Sequence, residues 1–492
     1  MIKVNKFYQN EWSIYKIIIV ICIATYVFCI AISEQHHRAR YHPGSGHDSG
    51  QFYYARILIS DTKAALQEPN FAAVLESKLK AHEFITEGIP GIILMKAMLA
   101  FFTLHDLSDT PLNDAGDNFL AFRIEYGLYV LFAAITAFAI HGFVSLIAGQ
   151  RAGYLSAITY LLSGETAFFI MGWKVYPVPS VMFMLLMVYS FAKSLSPEIQ
   201  NTGRSVWCMA FAGIWGGIMI MCNVKLAYVV PLLGAASFFL YVTSSRESRH
   251  GYILKRWGAM IACTLAPPLL YDAVVWGTFT DPYVKLQLPW GVRSWGFVAD
   301  LLLFKDTYSS KDAVYTKFLE QYGYIHWPTF YFDLIRTLEG WPIMVFGIAG
   351  MIWAGRILFQ RLPPANDTPG YLAHFGAFFL VGLGVISPLL QTVALRISGN
   401  ESIFATGRTF YSFLVGFHML AGIAMAMLLK NCRPALRQAV VVGLVFCCSW
   451  QLWGVVRMTS VLNAPDKGFW ALPNTIMEFP DKSFSKYSLF AK

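Results

Sequence analysis

The chain has 492 residues, of which 56% are hydrophobic, 16% aromatic and only 14% charged. Soluble domains carry about a quarter charged residues, so this composition, with a mean hydropathy of +0.50, excludes a soluble globular protein and predicts a polytopic membrane protein. The net charge of +9 (38 Lys and Arg against 29 Asp and Glu) reads as basic bias in cytoplasmic loops rather than nucleic-acid binding.

Taken from the start, Met1–Lys16 is short and basic and Ile17–Ile32 is apolar, with no small-residue cleavage site after it. The expectation is an uncleaved first span with its amino terminus inside. Beyond it, His42-Pro-Gly-Ser-Gly-His-Asp-Ser-Gly50 is a turn-rich loop. It runs into Gln51–Leu58, whose apolar spacing suits a short amphipathic helix on the membrane surface. Asp48 is thus a single carboxylate on a bending loop, backed by Tyr53 and Tyr54. The plainer alternative is that it caps a helix.

Residues 34–118 form a polar-to-amphipathic segment. Apolar runs follow at about 119–147, 153–171, 175–192, 205–222, 224–243 and 258–276, then 341–359, 371–395, 409–429 and 437–456. Each is near the ~20 residues that cross a hydrocarbon core. Gly88–Leu104 is ambiguous. If it spanned, the loop with Arg246, Arg249, Lys255 and Arg256 would face outward, and the acidic loop with Asp106, Asp109, Asp114 and Asp117 would face the cytoplasm. That reverses the positive-inside rule. Gly88-Ile-Pro-Gly91 and Lys96 also weaken it as a span. The expectation is therefore an all-α bundle of about eleven spans, with Gly88–Leu104 at the interface, the carboxy terminus outside and a tail over 457–492.

In that topology three short outer turns carry cations against the rule. Lys174 lies between the third and fourth spans, Lys225 between the fifth and sixth, and Arg396 and Arg408 between the ninth and tenth. Singly, such residues snorkel to lipid phosphates. Three converging on the face that holds Asp48 point to an anionic ligand.

The eight cysteines all lie in or beside apolar runs, with no disulfide framework or zinc spacing. No internal repeat, glycine-rich phosphate loop or dinucleotide fingerprint occurs. His36, His37, His42 and His47 crowd the first loop, but their spacing matches no tight ligand template. Glu165 sits in the outer half of the third span, where an acid either lines a cavity or pairs with a neighbour. Arg123 and Glu125 read as an interfacial pair, and Asp272 has no distinguishing context. The aromatics of 277–340, among them Trp290, Trp295, Trp327 and Tyr331, fit an interfacial belt.

An Asp in the first outer loop followed by Gly-x-aromatic-Tyr resembles the C-type glycosyltransferases (GT-C), which take sugars from polyprenyl-phosphate lipids. Protein O-mannosyltransferases and lipid A aminoarabinose transferases are examples. Glu87-Gly-Ile-Pro90-Gly91 is similar to the opening of a surface helix in that loop, and Phe119-Leu-Ala-Phe-Arg123 to the start of the family's second span. Asn223-Val-Lys225, with Pro231, resembles a Lys-then-Pro stretch, and Gly407-Arg408-Thr-Phe-Tyr411 the start of a late span. The chain departs from the family in having His47-Asp48 where many relatives have paired acids, and Lys174 where some have an acid.

The resemblance implies a membrane glycosyltransferase with its site on the extracytoplasmic face, in a bacterial inner membrane. The donor is a polyprenyl-phosphate-linked sugar, the acceptor a glycan, lipid or protein hydroxyl, and no nucleic acid takes part. Asp48 is the base, Lys225, Arg408 and Lys174 hold the donor phosphate, and Tyr53, Tyr54, Glu87, Arg123, Glu165 and Arg396 line the cavity. No cofactor is firmly implied, and a divalent metal on His47 and Asp48 stays open. A phosphate-linked sugar needs no acid to protonate its leaving group, unlike a glycoside, so one base suffices and in-line attack inverts the anomeric centre. The alternatives are a lipid-linked saccharide flippase or transporter, or a polymer ligase. A secondary transporter would show inverted repeats and charges at mid-membrane, whereas here the charges gather at one face.

Overall fold

Amides that leave water inside a bilayer must bond one another, so an apolar run of about 20 residues folds as a helix. The computed structural model describes residues 14–31, 119–171, 177–196, 203–223, 228–243, 250–276, 339–360, 368–386 and 407–462, with isolated positions at 64, 67–70, 74, 95, 199, 226 and 335. The described part of every apolar run expected to span is helical. In chain order the helices are α1 (Ile14–Ala31), α2 (Phe119–Ala148), α3 (Gln150–Leu161), α4 (Gly164–Met171), α5 (Pro177–Ser194) and α6 (Gly203–Cys222). Then come α7 (Val229–Thr243), α8 (His250–Trp276), α9 (Gly340–Phe359), α10 (Thr368–Val381), α11 (Gly407–Asn431) and α12 (Pro434–Leu462). A π turn, Gly382–Ile386, extends α10, and α3 and α4 together make the third span. Seven helices are long and apolar enough to cross a membrane, and no strand occurs among the described residues. The chain is an all-α, multi-pass membrane protein.

Lipid gives no hydrophobic drive for helices to associate, so close packing and buried hydrogen bonds do that work. On α6, Gly213 and Gly217 bring the backbone against Met260, Cys263 and the Thr264 carbonyl of α8. On α11, Gly422 meets the backbone of Ser156 on α3; a Cβ there would lie 2.3 Å from the Ser156 nitrogen. Ser156 and Thr159 of α3 in turn donate to the Met419 and His418 carbonyls of α11, at 2.9 and 3.1 Å. Helix α11 is enclosed between α3 and α9, while α1, α9 and α12 turn residues such as Val20, Val345 and Val445 outward.

The direction of α1 bears on the ambiguous segment. Tyr15, at its start, stacks on Tyr154 near the start of α3 (5.5 Å between rings), and Tyr26, near its end, donates to the Leu161 carbonyl at the end of α3 (2.7 Å). Helices α1 and α3 therefore run parallel. Because α2 and α3 form a hairpin through the left-handed Gly149 (φ 92°), α2 runs opposite to α1. The end of α1 at Ala31 and the start of α2 at Phe119 therefore lie at the same end of the bundle, here called the distal end. At the opposite, proximal end, the buried Arg256 of α8 donates to the Ser194 carbonyl at the end of α5 (2.8 Å) and to Ser205 Oγ of α6. A cation is favoured at a helix C-terminus.

Candidate functional site

The third span is broken between α3 and α4. Helix α3 stops at Leu161 and α4 restarts at Gly164, which leaves carbonyls and amides without intrahelical partners. Four of them are met by side chains. Tyr26 takes the Leu161 carbonyl, as above. Ser163 is the N-cap of α4, its Oγ accepting the Thr166 amide at 3.0 Å. The Gly164 and Glu165 amides donate to the carboxylate of Glu339, at 3.2 and 3.3 Å, and Ser163 Oγ donates to it at 2.7 Å. An anion at a helix N-terminus is favoured by the exposed amides and the helix dipole. Here that anion comes from a residue 174–176 positions away in the chain.

Glu339 is itself held by three helices. It precedes α9, where Gly340 takes a left-handed conformation (φ 75°) that a glycine adopts without strain. Gln451 of α12 donates to its carbonyl. His418 of α11 places Nε2 3.0 Å from its carboxylate, close enough for an ion pair but off the line of a hydrogen bond. All of these groups are buried.

Beside this knot the Tyr411 hydroxyl, in the second turn of α11, lies 2.9 Å from Thr166 Oγ1 of α4 and 3.1 Å from the Tyr160 hydroxyl of α3. Its ring meets Phe169 at 5.2 Å. The next residue, Ser412, lies 3.4 Å from the Tyr228 hydroxyl, just before α7. The start of α11 is thus wedged between α4 and the segment that joins α6 to α7.

Of the residues expected at a site, Asp48, Tyr53, Tyr54, Glu87, Lys174, Lys225 and Arg396 lie outside the described residues, as does His47. Arg123 and Arg408 fall on α2 and α11, with side chains outside the description. What the structure brings together is the flanks of three cations. Lys174 follows the end of α4 by three residues, Lys225 precedes Tyr228 by three, and Arg408 precedes Tyr411 by three. Thr166, Tyr411, Ser412 and Tyr228 join those flanks at the distal end.

Glu165 is 1% exposed, and among the described residues neither carboxyl oxygen has a hydrogen-bond partner. Its neighbour across the break is the carboxyl of Glu339, which takes the Glu165 amide. Among the described residues no group of three His, Cys, Asp or Glu has the placement to hold a metal. The sequence reading missed Glu339, Gln451, Ser163 and His418. His418 was accessible to it, as an ionisable residue inside an apolar run. Glu339 was not, because an acid just before a span looks like any membrane-edge acid.

No family model and no curated protein matches the chain. Among solved structures it is similar to the oligosaccharyltransferase AglB of Archaeoglobus fulgidus in complex with an inhibitory peptide and a dolichol-phosphate. The identity is 11% and the TM-score 0.54, over 99% of this chain and 60% of that one. It is also similar to the oligosaccharyltransferase of that organism in the apo form, at 12% identity and a TM-score of 0.55, over 97% and 60% of the two chains. The chain shares its fold with these structures. A third structure of that enzyme, tethered to an acceptor peptide containing the NVT sequon, agrees at 12% identity and a TM-score of 0.54. The chain spans about 60% of the length of these oligosaccharyltransferases. The likeness extends over nearly the whole helical bundle described here, α1 to α12.

Proposed function

We propose that the chain is an integral-membrane glycosyltransferase that moves a sugar from a polyprenyl-phosphate-linked donor to an acceptor hydroxyl on the extracytoplasmic face, with inversion. The observation that carries this reading is the GT-C fold over nearly the whole chain, shared with an enzyme solved in complex with a dolichol-phosphate. The sequence supports it: a lone carboxylate, Asp48, follows the first span, and Lys174, Lys225 and Arg408 occupy short turns expected on the same face.

In this mechanism Asp48 accepts the proton of the acceptor hydroxyl as its oxygen attacks the anomeric carbon. The bond from that carbon to the phosphate oxygen breaks, and its electron pair leaves with the polyprenyl phosphate. The cations hold the phosphate and stabilise the charge that grows on it; loss of one such contact costs ~100-fold in rate or more. Tyr53, Tyr54, Glu87, Arg123 and Arg396 line the cavity around the two substrates. The amino terminus is cytoplasmic and the membrane is a bacterial inner membrane.

The test is lipid-linked product analysis in cells that lack the protein. Loss of a glycosylated product, with the sugar-charged polyprenyl phosphate accumulating, is the expected result. A flippase would instead strand its lipid on the cytoplasmic side, and Asp48→Asn would restore transport; on the present reading that variant restores nothing.

A further inference from the structure

The transfer mechanism uses none of the side chains that close the break between α3 and α4. Resting on the polyprenyl-phosphate reading, we infer that Glu339 is a positioning residue for the donor-phosphate site: its carboxylate, bonded to Ser163 Oγ and to the Gly164 and Glu165 amides, fixes the first turn of α4, whose Thr166 meets Tyr411 near the start of α11.

Helix α4 has only eight residues, little more than two turns. A helix that short has little stability of its own, so its direction is set by what grips its ends. Glu339 and Ser163 grip the first turn, Tyr411 bonds Thr166 in the same turn, and the Phe169 ring rests on Tyr411. The far end of α4 leads within three residues to Lys174, and Tyr411 follows Arg408 by one helical turn. The Ser412–Tyr228 contact adds the segment that carries Lys225. One chain of contacts therefore runs from Glu339 through α4 and Tyr411 to the flanks of all three cations.

A local cap would satisfy a helix start without Glu339, and Ser163 already provides one. An ionisable group inside a membrane is costly and is retained for function by default. Glu339 is 0% exposed, contacts His418 of α11 and has its carbonyl held by Gln451 of α12. It thus joins α4 to the helix that carries Arg408 in its first turn.

The test uses the purified full-length chain in detergent and two probes, farnesyl phosphate and farnesol, which differ only in the phosphate. The quantity read is the ratio of their affinities. Wild type should prefer farnesyl phosphate, and Lys225→Ala should lose that preference. Glu339→Gln, whose amide meets two backbone N–H donors badly, should reduce the ratio roughly tenfold, the scale of one charge-assisted hydrogen bond. Tyr411→Phe and Ser163→Ala should reduce it in the same direction, and they decide the matter if Glu339→Gln does not fold. Ser205→Ala, which breaks the buried Arg256 contact at the proximal end, should lower thermal stability and leave the ratio unchanged. A purely structural role for Glu339 would lower both affinities together. If Lys225→Ala abolishes the preference while the Glu339, Tyr411 and Ser163 variants all keep it, the inference is overturned and the donor reading stands. No preference in wild type would contradict the donor reading, and the inference falls with it.

Discussion

Glu165 and Glu339 are neighbouring buried carboxyls in opposite circumstances. Glu339 accepts three hydrogen bonds at a helix N-terminus and faces an imidazole, whereas both oxygens of Glu165 go unmet among the described residues. A buried polar group without a partner costs roughly 1–3 kcal/mol. Glu165→Gln should therefore stabilise the protein, seen as a higher unfolding midpoint in detergent; a lower midpoint would mean that its carboxyl has a partner. The cations offer a second contrast at this scale. A Lys or Arg that only snorkels tolerates exchange with the other, but one aimed at a phosphate does not, because Arg presents a fixed two-pronged fork. Arg408→Lys should recover only part of the transfer rate lost in Arg408→Ala. The double variant of Lys225 and Arg408 should be little worse than the poorer single one, and simple additivity would show that they share no phosphate.

The element boundaries were legible where length and apolarity decide them. A run of about 20 apolar residues has no other way to cross lipid, so the described part of every expected span is a helix. The break at Leu162–Ser163 was not legible, because the carboxylate that makes it tolerable lies 176 residues away from Ser163 in the chain. Nor was the tight contact of α3 with α11, which depends on Gly422 facing Ser156. Gly422→Ala puts a methyl group against backbone that has no room to yield, and should cost about 1–3 kcal/mol as overpacking. Gly443→Ala on α12, where nothing lies within 4 Å, is the matched control and should leave the midpoint unchanged or raise it. The parallel run of α1 and α3 puts the end of α1 at Ala31 and the start of α2 at Phe119 at the same end of the bundle. Ser108→Cys and Asn113→Cys should accordingly react with an impermeant thiol reagent from outside, and Ser248→Cys should be protected. The opposite pattern would separate Lys174, Lys225 and Arg408 from Asp48.

At the scale of the whole molecule, buried polar contacts secure both ends of the bundle. Arg256 holds the C-terminal end of α5 at the proximal end, and Glu339 holds the start of α4 at the distal end. The long segments 34–118 and 277–338 both attach at the distal end, where the flanks of the cations meet. On the proposed mechanism, one carboxylate from the first of those segments meets a phosphate held by the bundle. The most direct measurement is single-turnover transfer by Asp48→Asn in reconstituted membranes, beside its affinity for the sugar-charged polyprenyl phosphate. Replacing the carboxylate by an amide keeps its shape and removes the proton acceptor, so transfer should vanish while donor affinity stays within about twofold of wild type. Transfer at the wild-type rate in Asp48→Asn would contradict the account.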